Sequence, residues 1–85
     1  MKSWRLWNFK RMTLNLPLEI QAQADKQFSL WQENPWHPSL HFKEVSSGYW
    51  SIRIGRNYRA FAKKQPDDVY LWYWIGPHGT YDKML

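Results

Sequence analysis

The 85-residue sequence contains no cysteine, only four glycines and no long apolar run. The lack of cysteine excludes disulfides and thiolate zinc sites, and it fits a reducing compartment, so we expect a cytoplasmic protein. A membrane-spanning helix needs about 20 apolar residues. Four basic residues interrupt the N-terminus before any such run: Lys2, Arg5, Lys10 and Arg11. We therefore expect neither a signal peptide nor a membrane partner.

Acidic residues are also scarce, with seven Asp and Glu against twelve Lys and Arg, which gives a net charge of +5. This excess favours an acidic partner, either a nucleic acid or an acidic protein. A chain this short has room for one domain only. Its seven Trp, five Tyr and four Phe supply large buried areas that compensate for the small size of the core.

Aromatic and β-branched residues between residues 49 and 75 predict three antiparallel strands, over residues 49–54, 58–64 and 69–75. Gly-Arg-Asn at 55–57 and Gln-Pro-Asp-Asp at 65–68 supply the turns. A three-residue loop at 55–57 places Ile54 opposite Tyr58 and Arg53 opposite Arg59. Two like charges directly opposite each other cost stability. The arginine pair therefore indicates an anionic ligand between the strands.

Alternation along these strands predicts one packed face and one functional face. The packed face is expected to carry Trp50, Ile52, Ile54, Ala60, Ala62, Leu71, Tyr73 and Ile75. The other face is expected to carry Tyr49, Ser51, Arg53, Arg59, Phe61, Lys63, Tyr70, Trp72 and Trp74.

Helical spacing predicts a main helix over residues 16–34, started by Pro17 and ended by Asn34-Pro35. Its apolar stripe is expected to pack on the packed face of the sheet and consists of Ile20, Ala24, Phe28 and Trp31. Residues 1–15 indicate a short helix or an irregular arm. His37 and His41 are four residues apart, but the flanking prolines disfavour a helix there, and we expect no metal site.

Arg53, Arg59, His78 and Tyr81 are the residues in this sequence best suited to chemistry. Cleavage of RNA by its own 2′-hydroxyl needs a base, an acid and cations that stabilise the phosphorane. The histidine can transfer a proton in either direction near neutral pH. We expect further RNA contacts from three basic residues and two aromatic ones, with no cofactor: Lys43, Arg56, Lys63, Trp72 and Trp74.

Three segments resemble the RelE/ParE superfamily of bacterial toxins from type II toxin–antitoxin pairs: NPWHPSLHFKEV, YWSIRIGRNYRAFAKK and VYLWYWIGPHGTYDKML. The resemblance implies an α+β fold in which one or more N-terminal helices pack on an antiparallel sheet of three or four strands. In one domain over residues 1–85, we expect the sheet at 40–76 and a site loop at 77–85. The resemblance also implies an antitoxin partner, which covers the basic face.

RelE-like members cut mRNA on the ribosome without a metal, so the resemblance implies a ribosome-dependent endoribonuclease. Arg59 matches the arginine that stabilises the scissile phosphate, and Arg53 lies near a position that is lysine in RelE-like toxins. His78 matches an arginine or histidine position, and Tyr81 resembles the C-terminal tyrosine. Ser51 stands where another basic residue is expected. Two alternatives remain open: a ParE-like inhibitor of DNA gyrase, and a non-catalytic module that binds antitoxin or RNA.

Overall fold

Two helices cover one face of a five-stranded sheet in the computed structural model, which describes residues 1–80. In chain order the elements are β1 (Lys2–Arg5), α1 (Trp7–Leu14), α2 (Leu18–Glu33), β2 (Lys43–Ser46), β3 (Tyr49–Ile54), β4 (Tyr58–Gln65) and β5 (Val69–Pro77). Short 3-10 turns at Pro38–Leu40 and Pro66–Asp68 precede β2 and β5. The α+β fold is therefore confirmed.

The strands lie in the order β1-β5-β4-β3-β2. Neighbours are antiparallel except β1 and β5, which run parallel from the Lys2–Val69 pair to the Arg5–Trp72 pair. The Leu6 amide extends this pairing by donating to the Trp72 carbonyl at 3.0 Å. The N-terminal segment therefore contains a strand as well as a helix. The expectation of an arm or short helix missed this strand, and the expected three- or four-stranded antiparallel sheet is a mixed sheet of five.

The core lies between the helices and the sheet and is built from aromatic rings in edge-to-face contact. Trp31 of α2 is at its centre, with its ring centroid 5.7 Å from those of Phe42 and Trp72 and 5.5 Å from that of Tyr70. Phe28 lies 5.0 Å from Trp72, also edge to face. Such pairs stabilise a fold beyond the area that they bury. They allow a small chain without disulfides to order its strands.

The expected apolar stripe of α2 faces this core. Ala24, Phe28 and Trp31 are buried, and Ile20 packs against the same cluster. Asn34 ends the helix before Pro35, where its amide donates to the Leu30 carbonyl at 2.7 Å. Within residues 1–80, no helix is both long enough and apolar enough to cross a bilayer.

Candidate functional site

The β3–β4 hairpin has the predicted register, which sets two arginines side by side. Ile54 pairs with Tyr58 across the turn at 55–57, and Arg53 pairs with Arg59. Gly55 takes φ +60°, a conformation that side chains with a Cβ rarely adopt, which suits the tight connection. The two guanidinium groups therefore start from directly opposite positions on the sheet face that the helices leave uncovered.

Each arginine is half-buried and is oriented by a backbone carbonyl near the turn. Arg53 Nε donates to the Gly55 carbonyl at 2.9 Å, and Arg59 Nη1 donates to the Tyr58 carbonyl at 3.1 Å. These bonds hold both side chains at the hairpin end of the sheet, where each presents a planar fork of donors. Such forks suit a phosphate, which accepts two parallel hydrogen bonds.

His78 follows β5 at the same end of the sheet. Its backbone amide donates to the Asn57 carbonyl at 2.6 Å, which joins the chain after β5 to the hairpin turn. Pairing at the end of β5 sets Gly76 opposite Arg59 and Pro77 opposite Tyr58. His78 is therefore two residues beyond Gly76, the partner of Arg59 on β5. The residue is half-buried. Residues 78–80 are helical.

Trp74 forms an aromatic wall beside Arg59. Its ring lies 5.4 Å from that of Phe61, and the two rings are tilted by 33° relative to each other. A Cβ added at Gly76 would lie 2.7 Å from the Trp74 indole, which shows that the indole covers the Gly76 backbone. The missing side chain at residue 76 is therefore what lets Trp74 lie next to the arginine strand.

An irregularity in β5 changes the predicted faces. The pairing shifts between Phe61 and Ala62, where Phe61 pairs with Trp74 and Ala62 pairs with Trp72. One extra residue, Tyr73, lies on β5 between these partners, as in a β-bulge. Side chains on the N-terminal side of Trp74 therefore lie on faces opposite to those predicted.

The prediction for Trp72 and Tyr70 is wrong as a result. Both side chains are buried in the core under the helices, and Trp72 is 0% exposed. Trp72 cannot stack on an RNA base without unfolding the core. Leu71 and Tyr73, expected in the core, lie instead on the open face, while Trp74 and Ile75 have the predicted orientation.

Three of the predicted basic residues lie at different places around this face. Lys63 of β4 lies with its Nζ 5.6 Å from the ring centroid of Tyr49, a cation–π geometry. Lys43 of β2 is exposed and pairs with Ser51. Arg56 is exposed in the hairpin turn. Ser51 of β3 is buried, and its Oγ has no hydrogen-bond partner within residues 1–80.

The open face of the sheet forms an apolar groove with a volume of about 480 Å³. All five strands or their flanking residues contribute to its lining: Leu6, Val45, Ser46, Tyr49, Phe61, Lys63, Leu71 and Tyr73. Burial and, to a smaller degree, the neighbouring Tyr49 raise the pKa of Tyr73, so its phenol is neutral at physiological pH. This groove was not predicted from the sequence, because Leu71 and Tyr73 were expected in the core and β1 was not expected.

Tyr81 lies outside the described residues, so its predicted place beside His78 stays a prediction. His37 is bonded locally, with Nδ1 2.9 Å from Ser39 Oγ. Within residues 1–80, no three acidic, histidine or cysteine side chains come together as metal ligands do.

Two solved structures share the fold. The toxin–antitoxin complex RelBE2 from Mycobacterium tuberculosis superposes with a TM-score of 0.70 at 17% identity, over 89% of this chain and 95% of that one. The YoeB/ParE toxin from Agrobacterium tumefaciens has a TM-score of 0.67 at 14% identity, over 92% of this chain and 99% of that one. Among curated proteins, none matches the sequence. The ParE-like toxin domain family matches residues 18–83, which is most of the chain. The chain therefore belongs to the ParE-like toxin domain family of the RelE/ParE superfamily and is the toxin of a toxin–antitoxin system.

Proposed function

We propose that this toxin is a ribosome-dependent endoribonuclease that cuts mRNA and blocks translation in the cytoplasm. The observation that carries the proposal is the direct pairing of Arg53 with Arg59 beside the end of β5, where the His78 amide is bonded to the hairpin turn. Two guanidinium groups and one imidazole from a single sheet end are the groups that this chemistry needs.

In the proposed reaction, the 2′-oxygen of the RNA attacks the adjacent phosphorus while a base removes the hydroxyl proton. The bond from phosphorus to the 5′-oxygen breaks, and an acid protonates that oxygen. The products are a 2′,3′-cyclic phosphate and a free 5′-hydroxyl. His78 supplies one of the two proton transfers, and Tyr81 is proposed to supply the other or to orient the nucleotide. Arg59 and Arg53 stabilise the charge on the phosphorane, as preorganised donors do.

RNA recognition is proposed to use the aromatic wall and the basic residues around it. Trp74 is half-buried and lies on the Arg59 face, so part of its ring remains available to stack on a base. Lys43, Arg56 and Lys63 are exposed on β2, in the hairpin turn and on β4. Their side chains are proposed to contact the RNA backbone.

The experiment is a purified translation system programmed with a single mRNA, to which the wild-type chain is added. Mapping of RNA ends should reveal new 5′ ends with free hydroxyls only when ribosomes are translating. An mRNA carrying a 2′-deoxynucleotide on the 5′ side of the cut should survive. Intact mRNA in reactions where the toxin has stopped translation would refute the nuclease proposal.

The cognate antitoxin is proposed to cover the apolar groove with an amphipathic segment. Leu6, Leu71 and Tyr73 would receive its apolar side, and Lys63 would receive an acidic side chain. Because Phe61 of the groove also packs on Trp74, an occupant of the groove would lie next to the RNA path. Replacing Leu71 with aspartate should weaken antitoxin binding, while Leu14→Asp on the exposed face of α1 should not.

A second candidate function, inhibition of DNA gyrase without cleavage, is favoured by apolar side chains on the helical face. Trp7 is 68% exposed, Leu14 71% and Leu18 82%, and the Arg11 guanidinium lies 4.8 Å from the Trp7 ring centroid. Exposed Trp and Arg are typical of protein-binding hot spots. A supercoiling assay distinguishes the two functions, because Trp7→Ser would then impair the toxin and Arg59→Ala would not. A chain inactive in both assays would be a non-catalytic binding module.

A further inference from the structure

A second cleft lies on the edge of β3, beyond the point where β2 ends. β2 pairs with β3 from Tyr49 to Ser51, so within residues 1–80 the edge from Arg53 onward has no neighbouring strand. Helix α2 and the 3-10 turn at Pro38–Leu40 approach this edge instead and enclose a cavity of about 350 Å³. Its lining consists of Gln23, Lys26, Gln27, Ser39, Arg53 and Gly55.

Side-chain amides fix the walls of the cleft. Gln27 Nε2 donates to the Arg53 carbonyl at 3.0 Å and to the Ser39 carbonyl at 3.3 Å, which joins α2 to β3 and to the 3-10 turn. Gln23 lies against Gly55 so closely that any side chain at residue 55 would collide with the Gln23 amide oxygen. The Gln23 Nε2 donors have no partner within residues 1–80. The Gln27 bonds thus fix α2, β3 and the 3-10 turn relative to one another before a ligand enters.

The charge of the cleft is positive and uncompensated. Lys26 and Arg53 both line it, no acidic residue does, and neither cation is in an ion pair within residues 1–80. Arg53 Nε bonds the Gly55 carbonyl, which brings the guanidinium to the turn that closes the cleft. Two cations that share one cavity repel each other, and an anion that binds both removes this repulsion.

We propose that this cleft binds a phosphate group, and that in the working toxin the group belongs to the RNA strand next to the scissile phosphate. Arg53 connects the two places, because it pairs with Arg59 on the sheet face and also lines the cleft at the strand edge. A single strand that leaves the Arg59 face over the free edge of β3 would meet Lys26 and Gln23 of α2. The source of the phosphate rests on the proposed function, whereas binding of the anion does not.

The test is an NMR titration of the full chain, in which no cleavage or ribosome is involved. The probes are inorganic phosphate, the trinucleotide dT3, which has no 2′-hydroxyl to attack its phosphates, and triglutamate as an acidic peptide. Signals to follow are the Gly55 amide and the side-chain amides of Gln23 and Gln27. The variants are Lys26→Gln and Lys26→Glu, and Lys10→Gln on α1 is the matched control.

Phosphate and dT3 should shift the three signals in the wild type and in Lys10→Gln. Lys26→Gln should weaken binding about tenfold or more, the effect of losing one charge-assisted hydrogen bond. It should also reduce the slope of log K against log[salt] for dT3 binding by about 0.7. Unshifted signals, or equal binding by Lys26→Gln and Lys10→Gln, would overturn the phosphate site. Binding of phosphate but not dT3, or tighter binding of triglutamate than of dT3, would overturn the nucleic-acid assignment. Neither result depends on RNA cleavage. The phosphate-site proposal and the ribonuclease proposal can therefore be refuted independently.

Discussion

Replacing Trp72 and Trp74 in turn distinguishes a tryptophan of the core from a tryptophan of the candidate site. The two tryptophans are two residues apart on β5, yet the bulge at Tyr73 directs one into the core and leaves the other on the open face. Trp72 is 0% exposed and contacts Phe28 and Trp31 edge to face. Truncation of such a side chain to alanine costs about 3–5 kcal/mol, because the rigid aromatic cluster cannot fill the cavity.

That cost is large against the roughly 5–15 kcal/mol that stabilises a typical domain. For a domain of this size it lowers the melting temperature by roughly 12 °C or more. Trp74 is half-buried, and its main ring contact is Phe61, so Trp74→Ala should cost only about 1–2 kcal/mol. Trp72→Phe should be much milder than Trp72→Ala, because it keeps most of the ring and removes an indole N–H that has no partner within residues 1–80.

The assay is denaturation by guanidinium chloride, followed by circular dichroism, for the wild type and all three variants. RNA binding by the folded proteins is then compared at one salt concentration. Trp74→Ala should lose RNA affinity while staying folded, and Trp72→Phe should keep it. Equal losses of stability in Trp72→Ala and Trp74→Ala would refute the bulge and the division of β5 between two faces.

Gly55→Ala should destabilise the fold by about 1 kcal/mol or more, because φ is +60° there and the added Cβ would also force the exposed end of Gln23 to move away. Gly48→Ala is the matched control, with φ +77° and no atom within 4 Å of the added Cβ, and it should cost less in the same guanidinium chloride denaturation. Equal costs would contradict the Gln23 contact. Burial, and secondarily Tyr49, raises the pKa of Tyr73 above the ordinary value of 10.0. The folded state therefore holds this proton more tightly than the unfolded state, so the resulting stability is complete below pH 10.0 and is lost as the pH rises above it. Tyr73→Phe should lose less stability than the wild type between about pH 9 and about pH 11. An unchanged loss would contradict the burial of the phenol.

The hairpin could be predicted from the sequence because its signals are local. Gly-Arg-Asn at 55–57 fixes the turn, and alternation of apolar residues on both sides fixes the register, so the Arg53–Arg59 pair was predicted correctly. The stripe of α2 was predictable for the same reason, since one helix face repeats every three or four residues.

The bulge and β1 could not be predicted because their causes are not local. Residues 70–74 are aromatic or apolar at every position, so either alternation gives a credible core face, and only packing against Phe28 and Trp31 selects Trp72. The four residues of β1 are a strand because β5 pairs with them, and β5 begins at Val69, far along the chain. The groove on the open face depends on both features and was missed with them.

Single-turnover cleavage of a ribosome-bound mRNA by Arg59→Ala and His78→Ala tests the central claim most directly. Arg11→Ala, on the exposed side of α1, is the control for a lost surface charge. Loss of a preorganised donor lowers the rate by a factor of about 10²–10³, and loss of a proton-transfer group lowers it by a factor of about 10²–10⁴. We expect losses of this size for the two site variants, with wild-type melting temperatures, and an unchanged rate in Arg11→Ala. Cleavage at the wild-type rate by folded Arg59→Ala or His78→Ala would contradict this expectation.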